Sequence, residues 1–309
     1  MLWRMITLLS ALALDLALGE PPSFFHPVAW MGRFIKWGWH HRPRRGRERQ
    51  FLYGAMLVIM GMAFFSLPWA LLSALDIPFW WLWSIPLLKA TFSVKALFQA
   101  GRQVQEALEG GNLPEARRLL GWHLVSRDTS QLSPPLVVAA TVESLAENIT
   151  DGLTSPLFFF ALGGLPGAWA YRFCNTCDSM LGYRDPEREY LGKFAARLDD
   201  ALNWLPARLT GVLVVLAAAL AGEDAGNAWR TMLAQHGRTA SPNAGWTMSA
   251  MAGALGVTLE KVGHYRLEGG DGPLNPGTIE RCFRVVHWTM ALVVCCTITL
   301  MGVMYACRR

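Results

Sequence analysis

Residues 136–157 read L-V-V-A-A-T-V-E-S-L-A-E-N-I-T-D-G-L-T-S-P-L. Most of these side chains are apolar, yet Glu143, Glu147 and Asp151 recur every four residues, with Ser144 and Asn148 among them. At about 100° per residue, steps of four keep side chains on one face with a slow drift, so the stretch predicts a helix with one acidic stripe. Pro156 removes the backbone donor to Gly152 and predicts a break there. Acidic groups and broken helices persist at membrane depth only where they are buried in protein or line a wet cavity. The expectation is a hydrated pocket that this stripe shares with the arginines later in the chain, Arg172 and Arg197 among them.

The rest of the chain supports the membrane setting. Of 309 residues, 52% are hydrophobic and only 17% charged, against about a quarter charged in an ordinary soluble domain. The mean hydropathy is +0.25. These values exclude disorder and argue against a freely soluble globule. Residues 51–75 and 152–171 carry no charge, and 285–307 hold only His287; a bilayer core needs about 20 apolar residues in a helix. The predicted fold class is all-α: a polytopic integral membrane helical protein with a broken or re-entrant polar helix and extramembrane polar loops. It forms one membrane-embedded domain over 1–309. Spans are expected near 5–19, 51–75, 77–98, 136–170 (broken) and 285–307, with a short re-entrant or buried element at 209–222. Residues 99–135, 171–208 and 223–283 are the polar regions.

The first apolar run resembles a signal peptide for ten residues. Asp15 then interrupts it and Gly19-Glu20-Pro21-Pro22 is no small-residue cleavage site, so it reads as a retained helix. An ionisable residue in a span makes Asp15 a functional candidate. Lys89 and Lys95 either snorkel or face a polar cavity. Between 33 and 49 stand seven cations against Glu48 alone. No aromatic-interleaved basic groove accompanies them, so the reading is a positive-inside loop beside anionic lipid rather than a nucleic-acid surface. That loop puts the amino terminus outside, whereas Arg308-Arg309 asks for an inside carboxyl terminus, and parity stays open. Between 171 and 208, six cations face six carboxylates and predict a mutually pairing set. Cys174 and Cys177 form a single C-x-x-C without partners for zinc and read as small apolar residues. No P-loop, dinucleotide fingerprint or H-E-x-x-H occurs.

What remains is a polar constellation. Carboxylates on a broken helix suit Mg²⁺, and Arg172, Arg197 and Arg208 suit bidentate phosphate contacts. Asn175, Asn203 and Asn243 offer neutral hydrogen bonds, and Asp199-Asp200 puts two carboxylates side by side.

At these residues the chain resembles the adenosylcobinamide-phosphate synthases of cobalamin biosynthesis. The matching stretches are D-L-A-L-G-E-P-P (15–22), H-P-V-A-W-M-G-R (26–33), S-R-D-T (126–129), T-V-E-S-L-A-E-N-I-T-D-G (141–152) and S-P-L-F-F (155–159). They continue through G-G-L-P-G-A-W-A-Y-R (163–172), N-T-C-D-S-M-L-G-Y-R (175–184), A-A-R-L-D-D (195–200), N-W-L-P-A-R-L-T (203–210), S-P-N-A-G-W (241–246) and M-A-G-A-L-G-V (251–257). Two departures stand out. Cys177 replaces the usual aliphatic residue, and the His expected just before S-P-N-A-G is absent, with His236 the nearest.

The resemblance implies an ATP-dependent amide ligase that joins aminopropanol or its phosphate to the corrinoid carboxylate of adenosylcobyric acid. ATP and Mg²⁺ are the implied cofactors, and corrinoid, amino alcohol and membrane lipid the partners, with other membrane enzymes of cobalamin assembly as neighbours. The implied location is the bacterial inner membrane, with several crossings. Glu143, Glu147, Asp151, Asp199 and Asp200 are the catalytic candidates, with Glu147, Asp151 and Asp199 as Mg²⁺ ligands. Arg172, Asn175, Asp178, Arg197, Asn203, Arg208, Ser241, Asn243, Asp15 and His26 are the substrate-binding candidates. The competing readings are a non-catalytic regulatory membrane protein of related architecture and a secondary transporter, the latter expected to show an internal repeat.

Overall fold

The computed structural model describes residues 2–22, 24–75 and 78–307. Ile77, where the 77–98 span was expected to start, and the Arg308-Arg309 pair lie outside them. In chain order the elements are α1 (Leu2–Leu18), α2 (Pro27–His40), α3 (Arg47–Ala74), α4 (Trp80–Lys89), α5 (Lys95–Glu109), α6 (Leu113–His123) and α7 (Pro134–Ile149). A wide π turn (Thr150–Thr154) leads into α8 (Ser155–Leu181), α9 (Lys193–Leu202), α10 (Trp204–Leu220), α11 (Ala225–Gln235) and α12 (Ala244–Leu255). A hairpin of β1 (Thr258–Lys261) and β2 (Tyr265–Glu268) precedes α13 (Pro276–Ala306). The architecture is that of an all-α polytopic membrane protein. Arg47–Ala74, Pro134–Leu181 and Pro276–Ala306 are long and apolar enough to cross a bilayer, and α9 with α10, bent by 49°, makes a fourth if the pair is one span.

Three local readings change. The 77–98 span is instead α4, ten residues long and too short to cross, followed after residues 90–94 by the amphipathic α5. Pro156 does not break the helix where expected. The π turn just before it takes up one extra residue, and within that turn the Thr154 hydroxyl donates to the Ile149 carbonyl at 3.1 Å. The kink comes at Gly164, whose φ of 67° and ψ of −155° only glycine adopts readily. The antiparallel hairpin, with Leu259 opposite Leu267 and both buried, interrupts the polar region 223–283.

The chain divides into two compact units: residues 1–93, 155–203 and 297–309 form the first, and 94–154 with 204–296 the second. In the first, α3 lies against α8 and the segment before α9 through its glycines. A Cβ on Gly61 would meet the Phe173 ring, and one on Gly54 the Leu191 carbonyl. Small residues let membrane helices approach this closely, since lipid offers no hydrophobic drive for their association. The Phe65 ring stacks on Phe173 at 5.2 Å, and Trp169 Nε1 donates to the Leu87 carbonyl at 3.0 Å. In the second unit, α7, α10, α11, α12 and the hairpin share a core that includes Val142, Leu145, Val214, Met232, Met251 and Leu259.

Candidate functional site

The most connected polar group of the first unit lies where the end of α8 meets α9. Asp199 is buried. Its Oδ1 accepts from Asn175 Nδ2 at 3.2 Å and its Oδ2 from Asn203 Nδ2 at 2.9 Å. The Asn203 amide oxygen in turn accepts from Ser155 Oγ at 2.6 Å and Tyr171 Oη at 3.0 Å. Asp178 and Asp200 bring like charge up against Asp199. Four expected residues, Asn175, Asp178, Asp199 and Asn203, and a fifth, Asp200, therefore converge. Arg172 is half-buried on α8, one turn before Thr176, whose hydroxyl donates to its carbonyl. Arg197 stands exposed on α9.

Asp15 and His26 are drawn into a different cluster of the same unit. Lys89, nearly buried, lies 3.0 Å from Asp15 Oδ1 and 2.7 Å from Glu20 Oε1. The other Glu20 oxygen lies 2.5 Å from His26 Nε2. His26 Nδ1 accepts the Val28 N–H at 3.1 Å and so caps α2, which leaves Nε2 carrying the proton towards Glu20. Burial opposes the Glu20 charge, but hydrogen bonds from His26 and Lys89, with the Lys89 charge, hold its carboxyl down at about 2. Lys89 thus neither snorkels nor stands alone. The expected pairing of charges within 171–208 is found in Arg188–Asp185 and Lys193–Glu189, while Glu187 reaches back to Arg42.

In the second unit, Glu143 is buried, Glu147 exposed and Asp151, inside the π turn, half-buried. The cation beside Glu143 is Arg127, at 3.7 Å, and not one of the later arginines that the sequence led us to expect. Tyr265 of the hairpin is hydrogen-bonded to Glu143. Burial and the nearby Glu143 and Glu147 push its phenol far up, so it stays a donor. Arg208 lies over the Trp204 and Trp246 rings at 4.2 and 5.0 Å. Its Nη1 donates to the Trp204 carbonyl at 2.6 Å and to Asn243 Oδ1 at 3.4 Å. Ser241 Oγ accepts the Asn243 N–H at 3.2 Å, and His236 stacks on Trp246 at 4.0 Å. His236, which the sequence left displaced from its usual place, thus reaches the same aromatic group as Arg208.

Sequence reasoning missed Ser155, Tyr171, Arg127, Tyr265 and Trp246 as members of these groups. All but Tyr265 sit within the quoted matching stretches, so position along the chain was available but the side-chain partners were not. Cys174 and Cys177 are buried and unbridged, as core residues. Among the described residues no three His, Cys, Asp or Glu side chains converge on a metal position. Mg²⁺ does not need such a cage. It takes one or two carboxylates and fills its other positions with water and substrate phosphate; in the first unit Asp178 and Asp199, near enough to repel each other, are the carboxylates that could contribute.

These features define a class: a helical membrane protein whose apolar bundle buries connected carboxylate–amide networks. The family model described as "CobD/Cbib protein" matches residues 8–297, and the chain belongs to that family. It is 45% identical over 282 residues to the cobalamin biosynthesis protein CobD of Dehalococcoides mccartyi, covering 89% of this chain and 90% of that protein. It is 43% identical over 297 residues to the probable cobalamin biosynthesis protein CobD of Methanothermobacter thermautotrophicus, covering 96% and 97%. To the cobalamin biosynthesis protein CbiB of Salmonella arizonae it is 37% identical over 269 residues, covering 85% and 84%. No solved structure matches the chain.

Proposed function

We propose that this protein acts in cobalamin biosynthesis as an ATP-dependent amide ligase of a bacterial inner membrane, which it crosses several times. It attaches aminopropanol or its phosphate to the corrinoid carboxylate of adenosylcobyric acid. The names of its relatives support the pathway. The observation that carries the chemistry is Asp199, fixed by Asn175 and Asn203 with Asp178 and Asp200 alongside. Fixing two or three carboxylates in a largely apolar bundle is costly unless they hold something charged.

In this reading a corrinoid carboxylate oxygen attacks the γ-phosphorus of ATP, ADP leaves, and an acyl phosphate forms. The amine nitrogen then attacks the acyl carbon, inorganic phosphate leaves, and the nitrogen loses a proton to a carboxylate base. Asp178 and Asp199 would hold Mg²⁺ in the first unit, and the ion would neutralise charge on the transferring phosphoryl group. Asn175 and Asn203 hold Asp199 in one orientation, which is pre-organisation rather than contact with the substrate. Arg172 and Arg197 are phosphate contacts, and Asp200 is a candidate base. In the second unit, Glu143, Glu147 and Asp151 remain base or metal candidates, and Arg208, Ser241 and Asn243 orient substrate through a guanidinium held flat by two indoles.

The test is incubation of the purified protein with adenosylcobyric acid, ATP, Mg²⁺ and aminopropanol phosphate, read by mass. A product heavier by the amine less water supports the ligase. No mass gain favours a regulatory protein, and accumulation inside proteoliposomes without chemistry favours a transporter.

A further inference from the structure

Four planar side chains of the second unit stack where the start of α10 meets the start of α12. Trp204 and Arg208, four residues apart, share one face of α10. The Arg208 guanidinium lies 4.2 Å from the Trp204 ring and 5.0 Å from the Trp246 ring, and His236 covers Trp246 at 4.0 Å. Two glycines clear the space. A Cβ on Gly211 would crowd the Trp246 Cβ at 3.3 Å, and one on Gly245 would run into the His236 carbonyl.

The rings hold the plane of the guanidinium, and two acceptors fix how it is turned. Nη1 donates to the Trp204 carbonyl and to Asn243 Oδ1, which uses both of its protons. Among the described residues Nε and Nη2 of Arg208 have no acceptor, and no carboxylate pairs with it. These two nitrogens form one edge of the guanidinium, and their parallel N–H groups match two oxygens of a phosphate. Arg208 is half-buried and Trp204 is 55% exposed, so the stack is open at its Trp204 end. A fork locked before the ligand arrives loses little freedom on binding.

An aromatic face beside a phosphate fork selects a ligand that carries both a planar ring and a phosphate. Of the reactants in the ligase reading, on which this assignment rests, the amino alcohol phosphate has no ring and adenosylcobyric acid has no phosphate. ATP has both. We propose that Trp204 and Arg208 bind the nucleotide, with the adenine on the indole and a phosphate on the Nε–Nη2 edge. Trp246 and His236 back the guanidinium without touching the ligand. A phospholipid headgroup would satisfy the fork but offers no ring to the indole.

The experiment is equilibrium binding of radiolabelled adenylyl imidodiphosphate, with Mg²⁺, to the full-length protein in mild detergent. Trp204→Ala and Arg208→Gln should each weaken nucleotide binding at least fivefold. Inorganic tripolyphosphate, which lacks a ring, should bind Trp204→Ala as tightly as wild type and Arg208→Gln at least fivefold more weakly. Trp122→Ala, an exposed indole at the end of α6, should bind the nucleotide as wild type does. Nucleotide binding that is unchanged in both stack variants overturns the assignment and leaves the ligase reading standing. No nucleotide binding by wild type overturns both. Displacement of the nucleotide by dioleoyl phosphatidylglycerol would mark a lipid site and also overturns the assignment. Thermal melts check folding, and Trp204→Ala, at an exposed position, decides the matter if Arg208→Gln does not fold.

Discussion

Asn203 stands one helical turn beyond Asp199 and donates its amide N–H to Asp199 Oδ2 at 2.9 Å. The same amide accepts from Ser155 and Tyr171 through its oxygen, so Asn203 faces a carboxylate on one side and two hydroxyls on the other. Replacing it by alanine would leave three buried polar groups short of a partner. Each orphan costs on the order of 1–3 kcal/mol, so Asn203→Ala should melt well below wild type. Amide formation, followed by product mass, should drop at least tenfold. Wild-type melting and turnover would show that the network is incidental.

Asp199→Asn keeps the shape and removes the charge. Product formation should be lost while membrane insertion and elution on gel filtration stay as in wild type. Asp151→Asn in the second unit and Arg197→Ala in the first should behave likewise. Full turnover by these variants would discard the assigned roles.

The Glu20 cluster carries a pH dependence with a defined sign. Its carboxyl is held at about 2 against an ordinary 4.5, so between those values the unfolded chain binds the proton more readily than the folded one. The stabilisation is whole above about pH 4.5 and is lost as pH falls towards 2. Melting temperatures of detergent-solubilised protein at pH 6 and pH 3 should diverge more for wild type than for Glu20→Gln. Equal losses would show that the pair with Lys89 and His26 contributes nothing to stability.

Gly61 and Gly163 make a matched pair of packing tests. A Cβ at Gly61 would fall 2.0 Å from Phe173 Cζ, whereas one at Gly163 meets nothing within 4 Å. Gly61→Ala should therefore cost about 1–3 kcal/mol by overpacking, and Gly163→Ala less than about 0.5 kcal/mol. Similar melting curves for the two would refute the close approach of α3 and α8.

Orientation is testable from the same helix. Lys/Arg-rich short loops stay on the cytoplasmic side, so in a background lacking the native cysteines Ser73→Cys should react with an impermeant thiol reagent added outside intact cells. Arg45→Cys should react only after permeabilisation. The opposite pattern would invert the topology.

Much of the architecture is legible in the chain because membrane spans write themselves as long uncharged runs. The acidic stripe also follows from spacing alone, and the four-residue step from Asp199 to Asn203 already places Asn203, at the carboxyl end of α9, one turn beyond Asp199. The break was misplaced because a π turn just before Pro156 carries the helix past it, which spacing does not reveal, while Gly164 is one glycine among several in G-G-L-P-G. The 77–98 reading failed because composition does not show where Ala90 to Val94 stop helix α4 and start α5. The ties of Asn203 to Ser155 and Tyr171, and of Glu143 to Arg127, join residues far apart or in loops. Such contacts are set by tertiary packing, which periodicity does not encode.

The five-residue turn at 150–154 has an evolutionary reading. A π turn is an α-helix with one residue added, and it swings everything downstream by about 100° around the axis. Removing any one of Thr150 to Thr154 would rewind the spiral to a uniform pitch and carry the Phe158–Phe160 ring face a quarter-turn or so away from its present neighbours. One codon gained or lost at this turn therefore decides which side the first turns of α8 present.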